Sequence, residues 1–296
     1  MFLYSHCSRA ADTVSVPACP FVKDSRALSF LLITPALLTL VALFLTPLGY
    51  SLVTAFVDAD GDFTFGNFTK AVEFYGRDIG YTLIIVGVST LFIGLFAIAI
   101  GGYLILGQNP RAVAILKWLY RWPLFIPFIV AGQIMRSFLA KNGMMNNALV
   151  SSGLLDPLEA TSFLDWQGLV ITFVWKQTPF VALLVAGAMA SLDQSTVEAA
   201  RNLGARRLRI LAEIVVPQVR ATLIVGLILS FVTMMSVLSV PLMISGESPT
   251  MMTVDMAFRI NFYGDYGVAN ALGFISYVMT AMVAWFYLRR SIEQEG

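Results

Sequence analysis

Apolar residues in this chain are gathered into six blocks, about 28–56, 79–107, 118–140, 168–190, 220–245 and 268–288. Each is roughly twenty residues or longer, and at about 1.5 Å per helical residue that length crosses a hydrocarbon core of about 30 Å. Composition agrees: 58% of the 296 residues are hydrophobic and 12% charged, against about 25% charged in a soluble domain. Too few charges remain to cover a soluble surface, so the bilayer is the solvent. The expected fold is an all-α polytopic membrane protein of about six transmembrane helices. The third block is the least regular, because Pro123 and Pro127 are expected to kink it and Arg136 lies near its end. Neighbouring helices can re-satisfy backbone groups freed by such prolines.

Local charge sets the expected orientation. With both termini inside, thirteen Lys and Arg fall on the cytoplasmic side and five outside, with Lys176 within the fourth block. This is the asymmetry of the positive-inside rule. Seven acidic residues fall inside and eleven outside, giving a net +6 inside and −6 outside. An acidic outer face can concentrate a cationic solute or complement a basic partner, or it can be solvated loop and nothing more. Overall net charge is +1, which supports no nucleic-acid partner. Cys7 and Cys19 precede the first block with no metal-ligand spacing, and we read them as incidental thiols. Residues 1–26 lack a basic segment leading directly into an apolar core, so a cleaved signal peptide is not expected there.

The longest cytoplasmic connection lies between the fourth and fifth blocks and contains Ser195 through Pro217. Ser195 or Thr196 is expected to cap a helix with Glu198 in its first turn, where the dipole favours a negative charge. Gly204 can break that helix. Beyond it, Leu208, Leu211, Ile214 and Val215 recur at helical spacing while Arg206, Arg207 and Arg209 occupy other faces, which reads as an amphipathic helix ending at Pro217. A short surface helix of this kind can seat in a groove on a soluble partner. Membrane lipid attracted by the arginines is the equal alternative on these grounds.

The spacing Glu198-Ala199-Ala200, three residues, Gly204, nine residues, then Ile214-Val-Val-Pro217 resembles the EAA loop of permeases in binding-protein-dependent ABC importers. It departs only in Val216, where leucine is usual. The resemblance implies the type I ABC importer permease fold, with a cytoplasmic N-terminal tail at 1–27, a permease domain at 28–288 carrying a coupling loop at 191–219, and a cytoplasmic tail at 289–296. It also implies that Glu198, Ala199, Ala200, Arg201, Leu203, Gly204 and Pro217 form the element that docks on an ATPase subunit. The implied partners are an ATP-binding subunit dimer holding ATP and Mg, a second permease (a paralogue or the same chain) and an extracytoplasmic solute-binding protein. The implied location is a bacterial or archaeal plasma membrane. Gly143-Met-Met-Asn146, Trp175-Lys-Gln-Thr-Pro-Phe180, Phe63-Thr-Phe-Gly-Asn67 and Gly246-Glu-Ser-Pro249 resemble segments of sugar and polyol permeases. Arg201-Asn-Leu-Gly204 is instead similar to the polyamine and metal-ion branch.

This chain has no Gly-x-x-x-x-Gly-Lys-Ser/Thr to cradle phosphate. Its lone His6 lies in the tail, so neither metal nor acid–base chemistry is expected of it, and no enzymatic activity is expected of the chain. A secondary transporter is the rival class, but such proteins place ionisable groups near the midplane. Here Lys176 alone is well within a block, and it can snorkel outward. Gln133, Lys176, Gln177, Thr233 and Ser236 are the candidate lining of a solute path. Packing is the preferred explanation for Thr and Ser, since each can bond its own preceding carbonyl, and Gln133 and Gln177, costlier to bury, are the better candidates. Gly94, Gly101 and Gly102 are expected to allow close helix packing.

Overall fold

The computed structural model describes residues 25–58, 61–245 and 248–292. Of the two expected tails, residues 1–24 and 293–296 lie outside the described residues. The chain divides into two units, residues 1–51 and 52–296. The first is helical from α1 (Ser25–Leu40) through a π turn (Val41–Leu45) into α2 (Thr46–Ala55), and Ile33–Ala55 is long and apolar enough to cross a membrane.

In the second unit, α3 (Gly66–Leu106) runs for 41 residues, about 60 Å at helical rise. It begins thirteen residues before the expected block at 79, because Asn67, Ala71 and Asp78 are buried along its first turns and hold an otherwise mixed sequence in the helix. The helix α7 (Trp166–Ala190) packs along α3. Ile85, Val86, Ile93 and Ala97 of α3 meet Leu169, Phe173, Val181 and Val185 of α7 in one buried core, together with Phe231 and Met234 of α10 (Val216–Ser236). Glycines permit this approach: a Cβ on Gly101 would lie 3.0 Å from the Met189 sulfur. The last helix, α13 (Tyr266–Ile292), packs on α3 and α10.

The third apolar block is not one continuous helix. It is α4 (Pro110–Leu119), a 3-10 turn (Trp122–Phe125) and α5 (Phe128–Leu139), and the two arms bend by 108°. Two prolines four positions apart remove two successive donors and crowd the preceding carbonyls, which exceeds what one helix can absorb. The fifth block is also divided. The helix α10 ends at Ser236 and α11 (Ser239–Ile244) continues separately, packed on α5. With the bent pair counted as a single span, the described residues hold up to six membrane-crossing elements.

A knot of hydrogen bonds joins α5, α6 (Met144–Ser151) and the segment before α7. Asn146, 2% exposed, donates from Nδ2 to the carbonyls of Ala140, Lys141 and Thr161 at 3.2, 2.9 and 2.7 Å. Gly143 is required beside it, since a Cβ there would lie 2.6–2.8 Å from the backbone oxygens of Phe138, Ala140 and Ser137.

Candidate functional site

The connection between α7 and α10 folds as a helix, a glycine corner and a second helix. The first of these, α8 (Gln194–Asn202), is capped by Asp193, not by Ser195 or Thr196. The Ser195 N–H donates to Asp193 Oδ1 at 2.9 Å and the Ser195 hydroxyl to Oδ2 at 2.7 Å. An aspartate two residues earlier therefore does what the serine was expected to do, with a full charge at the positive helix end. The same two hydrogen bonds hold its carboxyl below the ordinary carboxylate range. Glu198 consequently falls in the second turn rather than the first.

The far end of α8 closes with a double bond pattern. The Gly204 N–H donates to Arg201 O at 2.9 Å and the Ala205 N–H to Ala200 O at 3.0 Å, while Gly204 adopts φ +80°. This left-handed cap satisfies two end carbonyls and turns the chain sharply. Val197 is buried, and Ala200 and Ala205 pack on the main core. Glu198, Ala199, Arg201, Leu203 and Gly204 face outward, so the corner is anchored by one face and presents the other. Leu203 is 89% exposed and Leu208 80%.

Beyond the corner, α9 (Arg207–Ile210) passes through a π turn (Leu211–Val215) into α10. The expectation that Pro217 ends this helix is corrected: Arg207–Ser236 is a single apolar helix of 30 residues, and Pro217 lies in the first turn of α10. The Val216 N–H reaches back five residues to Leu211 O. The hydrogen-bond ladder is thus already displaced where proline lacks its donor. Arg209 and Glu213 pair at 2.9 Å on the exposed face.

The five candidate path residues differ in burial. Gln133 and Ser236 are exposed, Thr233 is half-buried, and Gln177 is buried. Lys176 is 5% exposed and does not snorkel. Its Nζ donates to Leu124 O at 3.3 Å and lies 4.9 Å from the Phe128 ring centroid, so it caps a carbonyl at the break between α4 and α5. The hydroxyls of Thr233 and Ser236 bond the carbonyls of Leu229 and Thr233, as the packing explanation requires. Sequence reading passed over Ser89 and Ser230, whose buried hydroxyls, like that of Thr178, lack a protein partner. A hydroxyl within an otherwise apolar run was the available signal.

At the end of the bundle opposite the corner, α12 (Met252–Phe258) is latched to α3. The Thr250 N–H donates to Asp78 Oδ1 at 2.8 Å and the Met252 N–H to Thr82 Oγ1 at 3.0 Å. Arg259 donates to the Tyr75 hydroxyl at 2.6 Å and to Asp265 at 3.3 Å. Asp255 is 7% exposed. Burial foremost, then the Asp78 charge, pushes its carboxyl up to about 7, with Arg259 opposing. A raised carboxyl favours the protonated folded state. Its stabilisation is complete below the unfolded value near 3.8 and is lost as pH rises through about 7. Asp255→Asn is expected to flatten the pH dependence of thermal stability between those values and to raise the melting temperature above pH 7, read by thermal unfolding in detergent. Among the described residues no group of three or more His, Cys, Asp or Glu is placed to hold a metal ion.

The fold and the corner together define a polytopic helical membrane subunit whose exposed surface helix is joined by a glycine corner to one of its spans. Residues 26–291 match the family described as the binding-protein-dependent transport system inner membrane component, and the chain belongs to that family. It is 25% identical over 207 residues to the sulfoquinovosyl glycerol transport system permease protein SmoG of Agrobacterium fabrum, covering 65% of this chain and 67% of that one. It is 27% identical over 194 residues to the sulfate transport system permease protein CysT of Salmonella typhimurium, covering 64% and 67%. In fold it resembles a crystal structure of a bacterial ABC transporter involved in import of the acidic polysaccharide alginate, with TM-score 0.77, 20% identity and 90% and 96% of the two chains covered.

Proposed function

We propose that this chain is the permease subunit of an ATP-driven importer and that the Glu198–Gly204 corner couples it to an ATP-binding subunit. The observation that carries the reading is the corner itself. A helix anchored by Val197 and Ala200, capped at Gly204, presents Leu203 and Glu198 outward and leads into a 30-residue helix. Movement imposed on such a helix passes into the span as a rigid body. In this reading the corner and both termini are cytoplasmic in a bacterial or archaeal plasma membrane. Two ATP-binding subunits carry ATP and Mg, a second permease completes the path, and an extracytoplasmic solute-binding protein delivers cargo to the acidic opposite end.

A small polar solute is the proposed cargo, with a sugar or polyol favoured. The name of SmoG supports this, as do the Gly143–Asn146 and Trp175–Phe180 segments. A polyamine or other cation is the second reading, favoured by Arg201-Asn-Leu-Gly204 and the net −6 of the outer connections. The relative CysT, named for sulfate, keeps cargo a separate question from fold. A thermal-shift screen of the solute-binding protein encoded nearby, with sugars and polyamines side by side, decides it; stabilisation by a polyamine alone would sink the sugar reading.

Coupling is tested at Leu203, whose side chain touches little of its own chain. Leu203→Glu is expected to insert normally while losing the co-purifying ATP-binding subunit and most solute-stimulated ATP hydrolysis. Burying an unpaired carboxylate at a contact costs several kcal/mol, a loss of about 100-fold or more. Retention of that subunit at the wild-type level would overturn the reading.

A further inference from the structure

A groove of about 410 Å³ runs between the last turns of α3 and the start of the Arg207–Ser236 helix. Leu95, Ile98, Ala99, Tyr103 and Leu106 line it along α3, and Arg207 stands on the opposing helix. Its floor is closed where Gly102 meets Leu211, whose Cδ1 lies 2.7 Å from the position a Cβ on Gly102 would take. From Leu95 to Leu106 the wall measures about 17 Å, close to half of a hydrocarbon core of about 30 Å and so the depth of one leaflet. The mouth coincides with the end of α3 and the beginning of the Arg207 helix, where apolar sequence gives way to polar.

Charge at that mouth is of one sign. Arg209 is neutralised by Glu213, whereas Arg206 and Arg207, both exposed, form no ion pair among the described residues. An apolar slot one leaflet deep with Arg207 in its wall and Arg206 next to it in the chain fits an anionic lipid, because basic pockets between membrane helices take anionic headgroups. We infer that the groove seats an acyl chain of an anionic phospholipid whose phosphate is held by Arg206 and Arg207. The inference rests on the cytoplasmic orientation proposed above but not on ATPase docking. A lipid in this position touches α3 and the helix leaving the corner at once, so its departure loosens the contact between them.

The test uses the full chain with its co-purifying subunits in mild detergent, delipidated and then supplied with phosphatidylglycerol or phosphatidylcholine. Native mass spectrometry is expected to show phosphatidylglycerol retained about fivefold or more over phosphatidylcholine, given about 1 kcal/mol for each basic group near an anionic headgroup. Ala99→Trp, which fills the slot at an exposed position, abolishes retention of both lipids. Arg207→Gln lowers the preference and leaves the slot open. A photo-crosslinker at position 99 captures lipid. Equal retention of the two lipids, a preference unchanged in Arg207→Gln, or capture of a protein subunit at position 99 would each overturn the assignment. Leu203→Glu retains the lipid even where it loses the ATP-binding subunit, which separates failure of this inference from failure of the coupling reading.

Discussion

Gly204→Pro is expected to abolish solute-stimulated ATP hydrolysis and uptake in proteoliposomes while leaving the chain in the membrane. Proline fixes φ near −65°, whereas residue 204 sits at +80°. Proline also lacks the N–H that Gly204 donates to Arg201 O. The two effects together exceed about 3 kcal/mol, and at 1.4 kcal/mol per factor of ten the native corner becomes about 100-fold rarer or worse. Alanine separates conformation from space. No atom lies within 4 Å of a Cβ built at this position, so Gly204→Ala carries only the left-handed backbone cost of about 1–2 kcal/mol and lands between wild type and proline. Asparagine, which tolerates that conformation, is expected to fall closer to glycine. If the proline variant bound the ATP-binding subunit and stimulated it like wild type, the corner would not be the coupling element.

The second large effect is expected at the opposite end of the bundle. Asn146→Ala strips three carbonyls of their shared donor in a site the side chain nearly fills. Ala140 O keeps the Gly143 N–H at 2.8 Å, so the loss falls on Lys141 O and Thr161 O; at about 1–3 kcal/mol for each acceptor left without its partner, the expected total is about 2–4 kcal/mol. Asn146→Asp is expected to be worse at neutral pH, since a carboxylate would face three oxygens with no proton to offer. Gly143→Ala displaces the same backbone by contact alone. Detergent thermal unfolding and the yield of monodisperse protein measure all three. An Asp variant as stable as wild type would show that the knot does not hold this end together.

Block length made the bundle legible in the sequence: the fourth block at 168–190 became α7 at Trp166–Ala190 because an apolar run bounded by polar turns has one way to satisfy its backbone in lipid. Blocks whose ends depend on tertiary partners were less legible. The extension of α3 back to Gly66 rests on the bonds Asn67 makes to Ala55 O and Val57 O, and no periodicity announces them. Proline carried an ambiguous signal. At 123 and 127 it lies where a span is broken, whereas at 217 it was absorbed just after a π turn and at 179 within α7. At the corner, Gly204 was read correctly as a turn, whereas the cap was misassigned because Asp193, Ser195 and Thr196 are all competent acceptors and geometry alone chooses among them. Lys176 misled for a related reason: a lone cation in a span can reach toward water or toward an orphan carbonyl, and the break that supplies Leu124 O is not written near it in the chain.

The uninterrupted helix from Arg207 to Ser236 also fixes a scale of movement. At helical rise its 30 residues make a rod of about 45 Å, so a tilt of about 10° at the corner displaces the far tip by about 8 Å. The gap between α10 and α11 at Val237 and Leu238 lies at that tip. There the largest excursion meets the shortest helix packed against α5, so a rocking motion that is small at the corner would be widest beside the candidate path residues Gln133 and Ser236.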